Sequence, residues 1–159
     1  MAKGKKQDEA HKGGIANRKA RYKFHILERV ECGLSLTGTE VKSLRAGQVS
    51  LDEGYARIRG GEVFLVGVNI ATYRSAAGTL QHDPLRDRKL LLRRRQIAQL
   101  ETHVKQKGKT LVPLAIYFKK GWAKCELGVA VGKRQYDKRE AIKKREQQRE
   151  MRRVMRRGR

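Results

Sequence analysis

The side chains best equipped for chemistry in this chain are cations, and they come in blocks. Arg86, Arg88, Lys89, Arg93, Arg94 and Arg95 form one block, and Lys3 to Lys23 another. Residues 133–159 carry thirteen basic side chains against Asp137, Glu140, Glu146 and Glu150. With 39 Lys and Arg against 16 Asp and Glu, the formal net charge is +23 on 159 residues. Such a chain repels itself until a polyanion neutralises it, and nucleic acid is that polyanion by default. Basic clusters separated by apolar strands describe a binding surface with arms. The run Asn17, Arg18, Lys19, Ala20, Arg21 suits phosphate contact. Glu31, a carboxylate in a basic setting, can accept from an exposed guanine or cytosine amino group; it equally suits a turn residue paired with a nearby Lys. Tyr73, Tyr117, Trp122 and Tyr136 can stack on bases, although Tyr117 and Trp122 equally suit a core.

Other chemistries find little support. Cys32 and Cys125 are too few for a disulfide framework and too far apart for a metal knuckle. His11, His25, His82 and His103 show no ligand spacing with each other or with the cysteines, so no metal or other cofactor is expected. Asp52 and Glu53 are the nearest acidic pair, but neighbours on a strand point to opposite faces. No nucleophile with a base and no phosphate-cradling Gly loop is present, so the chain reads as a binder and not an enzyme. It contains no stretch of eighteen apolar residues and no apolar run near Met1, which predicts a cytoplasmic protein without a membrane partner.

The elements that must position these residues follow from period and punctuation. Apolar residues concentrate between Tyr22 and Val131, while both ends are polar and unable to offset their own ordering entropy. The reading is a flexible basic arm over 1–14, a domain over 15–132 and a basic tail over 133–159. Alternation from Tyr22 to Leu36 predicts a hairpin bent near Glu31 to Gly33. Thr39 and Gly47 bracket a short helix. Gly60 and Gly61 punctuate two strands, and residues 74–83 read as a loop. Asp83 and Pro84 start a helix that runs to Lys107, with Leu90, Ile97, Leu100 and Val104 on its apolar stripe. Two long strands follow: Val112, Leu114, Ile116 and Phe118 face inward on the first, with Pro113 at an edge or strand start, and Ala123, Cys125, Leu127, Val129 and Val131 share a face of the second. The sum is a mainly β, α+β fold of about six short antiparallel strands with helices across them, arranged as a small barrel such as the oligonucleotide-binding fold.

The tail from Asp137 onward holds helix formers without Gly or Pro until Gly158. Asp137 and Glu140 resemble a capping box. Ile142, Met151, Val154 and Met155 give only a thin apolar stripe and the arginines repel one another, so the tail is expected disordered in solution and helical in an RNA-lined groove.

The stretches IANRKARYKF, ECGLSLTGTEVKSLRAG, DPLRDRKLLL, YFKKGWAKCELGVAVGK and GKRQYDKRE, running from Ile15 to Glu140, resemble the small protein B family, the tmRNA-binding proteins of bacterial trans-translation. The resemblance implies an antiparallel, six-stranded barrel of the oligonucleotide-binding type with about three flanking helices and a tail unstructured in solution. It implies two RNA surfaces. Asn17, Glu31, Leu91 and Lys124 match the family's contacts to the tRNA-like domain of tmRNA; Arg18, Lys19, Arg21, Arg45, Arg86, Arg88 and Lys89 join them on charge. Gly132, Lys133, Tyr136, Asp137, Lys138 and Arg139 match the family's tail motifs, with Arg134 and Ile142 in the same segment. That tail would lie in the empty mRNA channel and decoding centre of a stalled ribosome, against 16S rRNA. Elongation factor Tu would be an indirect partner through aminoacylated tmRNA. The alternative function is a structural, rRNA-binding ribosomal protein.

Overall fold

The computed structural model describes residues 14–76, 78 and 81–157. Residues 1–13 of the expected arm, residues 77, 79 and 80 of the expected loop, and Gly158 with Arg159 lie outside the described residues. β1 (Ile15–Ala16) leads into α1 (Arg18–Lys23), whose first turn is capped by Asn17: its Oδ1 accepts from the Ala20 N–H at 2.9 Å.

β2 (Phe24–Leu34) is one strand of 11 residues, not the hairpin that the alternation predicts. The reason is a bulge. Ile26 pairs with Ala130 of β9 (Trp122–Gly132) and Glu28 with Val129, so Leu27 is the extra residue. Before it, Phe24 and Ile26 pack with Val112, Leu114 and Ala130. After it, Val30, Cys32 and Leu34 face the main core with Cys125, Leu127 and Val129. One unbroken even-numbered pattern therefore serves two faces of the sheet.

The short helix is α2 (Gly38–Arg45), with its cap two residues before the one predicted at Thr39. Thr37 is its N-cap, and the Glu40 side chain accepts from the Thr37 N–H at 2.8 Å. Thr39 instead bonds Nδ1 of His82 through its hydroxyl at 2.8 Å. Gly47, with φ of 72°, follows the helix as expected. β3 (Val49–Ser50) pairs with β6 (Asn69–Ile70) as a separate small ladder. β4 (Tyr55–Arg59) and β5 (Glu62–Val66) form the hairpin anticipated at Gly60 and Gly61, whose φ values of 60° and 73° fit a two-residue turn.

The long helix predicted from Asp83 to Lys107 is in fact a turn, a strand and a shorter helix. Asp83 accepts from the Leu85 N–H at 2.9 Å, making a local turn. Arg88–Leu91 is β7, paired with Val63–Leu65 on one side and with Gly33 and Leu34 on the other. Only Arg94–Lys105 is helical, as α3. Arg88 and Leu90 are both buried while Leu91 is exposed, and this two-residue period is met only by a strand between two partners. The α3 stripe is also narrower than predicted, with Leu100 buried and Val104 exposed.

β8 (Lys109–Lys119) has a bulge between Pro113 and Ala115. Pro113 thus lies in mid-strand, not at an end. Its missing donor is tolerated because it sits at the bulge, between the stretch paired with Ala56 of β4 and the stretch paired with β1. The same bulge places Leu111, Ile116 and Phe118 in the main core while Val112 and Leu114 face the second cluster, correcting the single inward face expected. All pairings are antiparallel, and they run β4–β5–β7–β2–β9–β8 and back to β4, with β1 added on β8. The core inside holds Val63, Leu65, Ile70, Leu90, Leu111 and Leu127, all buried.

The C-terminal segment forms one helix, α4 (Gln135–Arg157), the conformation expected of it in an RNA-lined groove and not the disorder expected in solution. A run without Gly or Pro satisfies its own backbone even without packing. The helix starts before Asp137, whose carboxylate takes the Arg134 N–H at 3.2 Å from within the first turn, so Asp137 is not the cap itself. Among the described residues no helix is long and apolar enough to cross a membrane.

Candidate nucleic-acid interface

Three neighbouring strands build a groove on the outer side of the sheet. Because Cys32, Leu90 and Cys125 point inward, Gly33, Leu91 and Lys124 point outward. Gly33 pairs with Leu91 of β7 on one side and with Lys124 of β9 on the other. Its lack of a side chain matters, since a Cβ there would sit 3.1 Å from the Leu91 Cβ. The groove has a volume of about 590 Å³ and is lined by Glu31, Gly33, Leu91 and Lys124 on the sheet and by Arg93, Arg95, Gln96 and Gln99 at the start of α3. Three residues singled out for RNA contact, Glu31, Leu91 and Lys124, are thereby brought to one place.

Glu31 is held in a defined state. The Tyr117 hydroxyl donates to its Oε2 at 2.6 Å, and Lys119 Nζ bonds Oε2 at 3.0 Å and Oε1 at 3.2 Å. The Tyr117 hydrogen bond first, then that from Lys119, hold the carboxyl below its ordinary pKa. Burial and the same carboxylate push the Tyr117 phenol well up, so it stays a donor. The result is an ionised acceptor at the edge of a basic groove, in mid-strand and not at a turn. Both sequence readings thus share this residue: it pairs with a lysine, yet 38% of its side chain is still exposed.

Other predicted contact residues are distributed elsewhere. Arg18, Lys19 and Arg21 are exposed on α1, with Lys19 ion-paired to Asp52 at 2.7 Å. Arg45, at the end of α2, lies over the Phe118 ring with its guanidinium carbon 5.4 Å from the centroid. Lys89 pairs with Glu62. Arg86 donates twice to Glu40, at 2.8 and 2.6 Å.

Two of the residues expected at the RNA surface lie in the interior of the protein. Asn17 is 2% exposed, and its Nδ2 donates to the Leu51 and Pro113 carbonyls at 2.9 and 3.0 Å while its Oδ1 serves the Ala20 N–H. Arg88 is fully buried and donates to Glu40 and to the carbonyls of Val68, Arg86 and Pro84. Both side chains are spent on the fold: Asn17 ties α1 to β8, and Arg88 ties β7 to α2.

The tail leaves from the far end of the same ladder. Gly132 pairs with Phe24, the Lys133 N–H donates to the Lys23 carbonyl at 2.9 Å, and Lys133 Nζ reaches the Arg21 carbonyl at 3.1 Å. His25 Nε2 lies 3.5 Å from Asp137 Oδ2. Arg134 and Arg139 are exposed, Lys138 is half-buried, Ile142 is 42% exposed, and Tyr136 belongs to the first turn of α4. Gly132 lies eight residue steps along β9 from Lys124, roughly 26 Å of strand. The groove and the root of the tail are thus at opposite ends of that strand.

A family model described as SmpB protein matches residues 14–157 of this chain. The chain belongs to the SmpB family. Its sequence is 52% identical to the SsrA-binding protein of Thermobifida fusca, with 100% of each chain covered. It is 52% identical to the SsrA-binding protein of Gloeothece citriformis over 89% of this chain and 91% of that one. A solved structure described as "tmRNA-SmpB: a journey to the center of the bacterial ribosome" is similar, with a TM-score of 0.67 and 46% identity over 82% of this chain and 94% of that chain.

Some features of this SmpB-family groove escape sequence reasoning. Gln96 and Gln99 carry no charge and so leave no trace in a census of cations; only their place off the α3 apolar stripe hints at them. Arg93 and Arg95 are visible as part of a basic block, but the strand at β7 had to be known before they could be set beside Glu31. Glu40 reads as a helix-surface acid, and nothing in its neighbourhood announces that two arginines more than forty residues on converge on it.

Proposed function

We propose that this chain binds the tRNA-like domain of tmRNA through the groove and delivers it to stalled ribosomes for trans-translation. The observation that carries this reading is the meeting of Glu31, Leu91 and Lys124 in one groove from three separate strands. They offer an ionised acceptor for a base edge, an exposed apolar contact and a cation for phosphate. The SsrA-binding proteins among its relatives and the tmRNA-SmpB structure support the same assignment. The succession of pairings that returns to β4 supports a closed six-stranded barrel of the oligonucleotide-binding type over residues 15–132. The chain acts by binding and positioning, without catalysis, in the cytoplasm where ribosomes work; elongation factor Tu joins through aminoacylated tmRNA.

The tail over 133–159 is the second functional surface. Beyond its root, Ile142, Met151, Val154 and Met155 are all exposed, which supports a partner that lies outside this chain. In the empty mRNA channel and decoding centre, phosphates would cancel the repulsion among its arginines and hold the helix in place where no messenger lies. With messenger in place the groove is filled and the helix has nothing to dock against.

Two variants test this. Adding positive charge should raise generic RNA affinity, so Glu31→Arg binding the tRNA-like domain more weakly while binding duplex RNA more tightly indicates a specific contact. A uniform gain for both would overturn it. Deletion of residues 133–159 should spare tmRNA affinity but abolish tagging on stalled ribosomes; equal loss of both would defeat the two-surface arrangement.

A further inference from the structure

Trp122 is the one tryptophan of the chain and is 73% exposed. Its backbone is fixed by the turn before it and by the strand it begins. The β8–β9 turn is made by Lys120 and Gly121 with φ of 51° and 80°, and Trp122 pairs directly with Lys119. Since Ala123 packs against the main core, Trp122 shares the outer face of β9 with Lys124, two residues and about 7 Å along the strand. Its cross-strand partner Lys119 is the residue that bonds Glu31 at 3.0 Å. The ring therefore extends the strip that holds Glu31 and Lys124, beyond the residues that line the groove.

We propose that Trp122 is a stacking platform for an unpaired base of the RNA held in that groove. The inference rests on the tmRNA reading above and assigns a contact to it. A protein partner covering this ring would also have to cover Lys119, Lys120 and Lys124 and desolvate their ammonium groups. A nucleotide meets both demands, offering a base face to the indole and phosphate to the lysines. Stacking tolerates any base, so Trp122 adds affinity and orientation while Glu31 supplies discrimination.

A sole tryptophan is its own reporter. Titrating the full-length protein with the transcribed tRNA-like domain of tmRNA should quench its emission and shield it from acrylamide. Trp122→Ala should weaken binding by about 5- to 100-fold, while Trp122→Phe should keep it within about 3-fold of the parent. An unchanged thermal midpoint in both variants would separate lost stacking from lost fold. Saturating binding with silent emission, or Trp122→Ala binding as tightly as the parent, would overturn this proposal and leave the tmRNA reading standing. Failure of the parent protein to bind the fragment would overturn both.

Discussion

Glu40 and Arg88 meet inside the protein, 48 residues apart in the chain, with Arg88 Nε donating to Glu40 Oε1 at 2.8 Å and neither side chain exposed. Arg86 and the Thr37 backbone complete the carboxylate's shell. One carboxylate thus fixes the start of α2 and the entry into β7. Glu40→Gln leaves the Arg88 charge buried without its counter-charge, which is the costly way to break such a pair. The expected loss is about 3–5 kcal/mol of unfolding free energy, read from denaturant melts. A drop below about 1 kcal/mol would mean that the cluster contributes little.

The same carboxyl sets a pH response. Burial alone would raise its pKa, but the hydrogen bonds from Arg86, Thr37 and Arg88 and the Arg88 charge outweigh it, holding the value at about 2 against an ordinary 4.5. A group depressed in the folded state stabilises fully above its unfolded pKa, and that stabilisation fades as pH falls through the folded value. The stability gap between parent and Glu40→Gln should therefore narrow steadily between about pH 4.5 and about pH 2. A gap independent of pH over that window would contradict an ionised Glu40.

Tyr117→Phe removes the first support of the Glu31 carboxylate while leaving Lys119 in place. The Glu31 carboxyl should then titrate at higher pH than in the parent, as followed by carbon-detected NMR. Affinity for the tRNA-like domain should fall by a smaller factor than in Glu31→Gln, since the acceptor survives but is less well aimed. An unmoved titration would show that Lys119 alone holds the group.

Gly33→Ala places a methyl 3.1 Å from the Leu91 Cβ. The contact is with a Cβ, which moves only with the backbone of β7 and its pairing to β2, so the stability cost should be about 1–3 kcal/mol. Because the displaced side chain lines the groove, RNA affinity should drop by more than the stability change implies. A protein with a lowered midpoint and undisturbed affinity would argue that Leu91 makes no RNA contact.

Truncation after Arg139 keeps the root of the tail and removes the exposed part of α4. The unfolding free energy of the sheet domain should change by no more than about 1 kcal/mol, because the removed side chains bury little. A larger fall in chemical denaturation would reveal packing between the tail and the sheet.

How far such arguments can be pushed from sequence depends on the element. The β4–β5 hairpin was legible because Gly60 and Gly61 announce a turn that requires positive φ. The inward face of β9 was legible because Ala123, Cys125, Leu127 and Val129 alternate without interruption. β2 and β8 were not, since a bulge inserts one residue and moves the pattern to the opposite face without marking the sequence. β7 was lost inside a helical reading because Arg88, the residue that reveals a strand by being buried, looks like surface until Glu40 is placed beside it. Of the site, charge found the cations but could not tell those spent on carboxylates from those left for RNA. The family resemblance supplied Leu91, which no count of charges would have chosen.

The junction where Lys133 bonds to the Lys23 carbonyl has a mechanical corollary. Twenty-three residues of α4 extend from it for about 35 Å, so a rotation of roughly 10° at that single joint would sweep the distal end through about 6 Å. Small adjustments in the backbone around Gly132 are thereby amplified into a search volume, and where the far arginines land is decided at the hinge and not at their own positions.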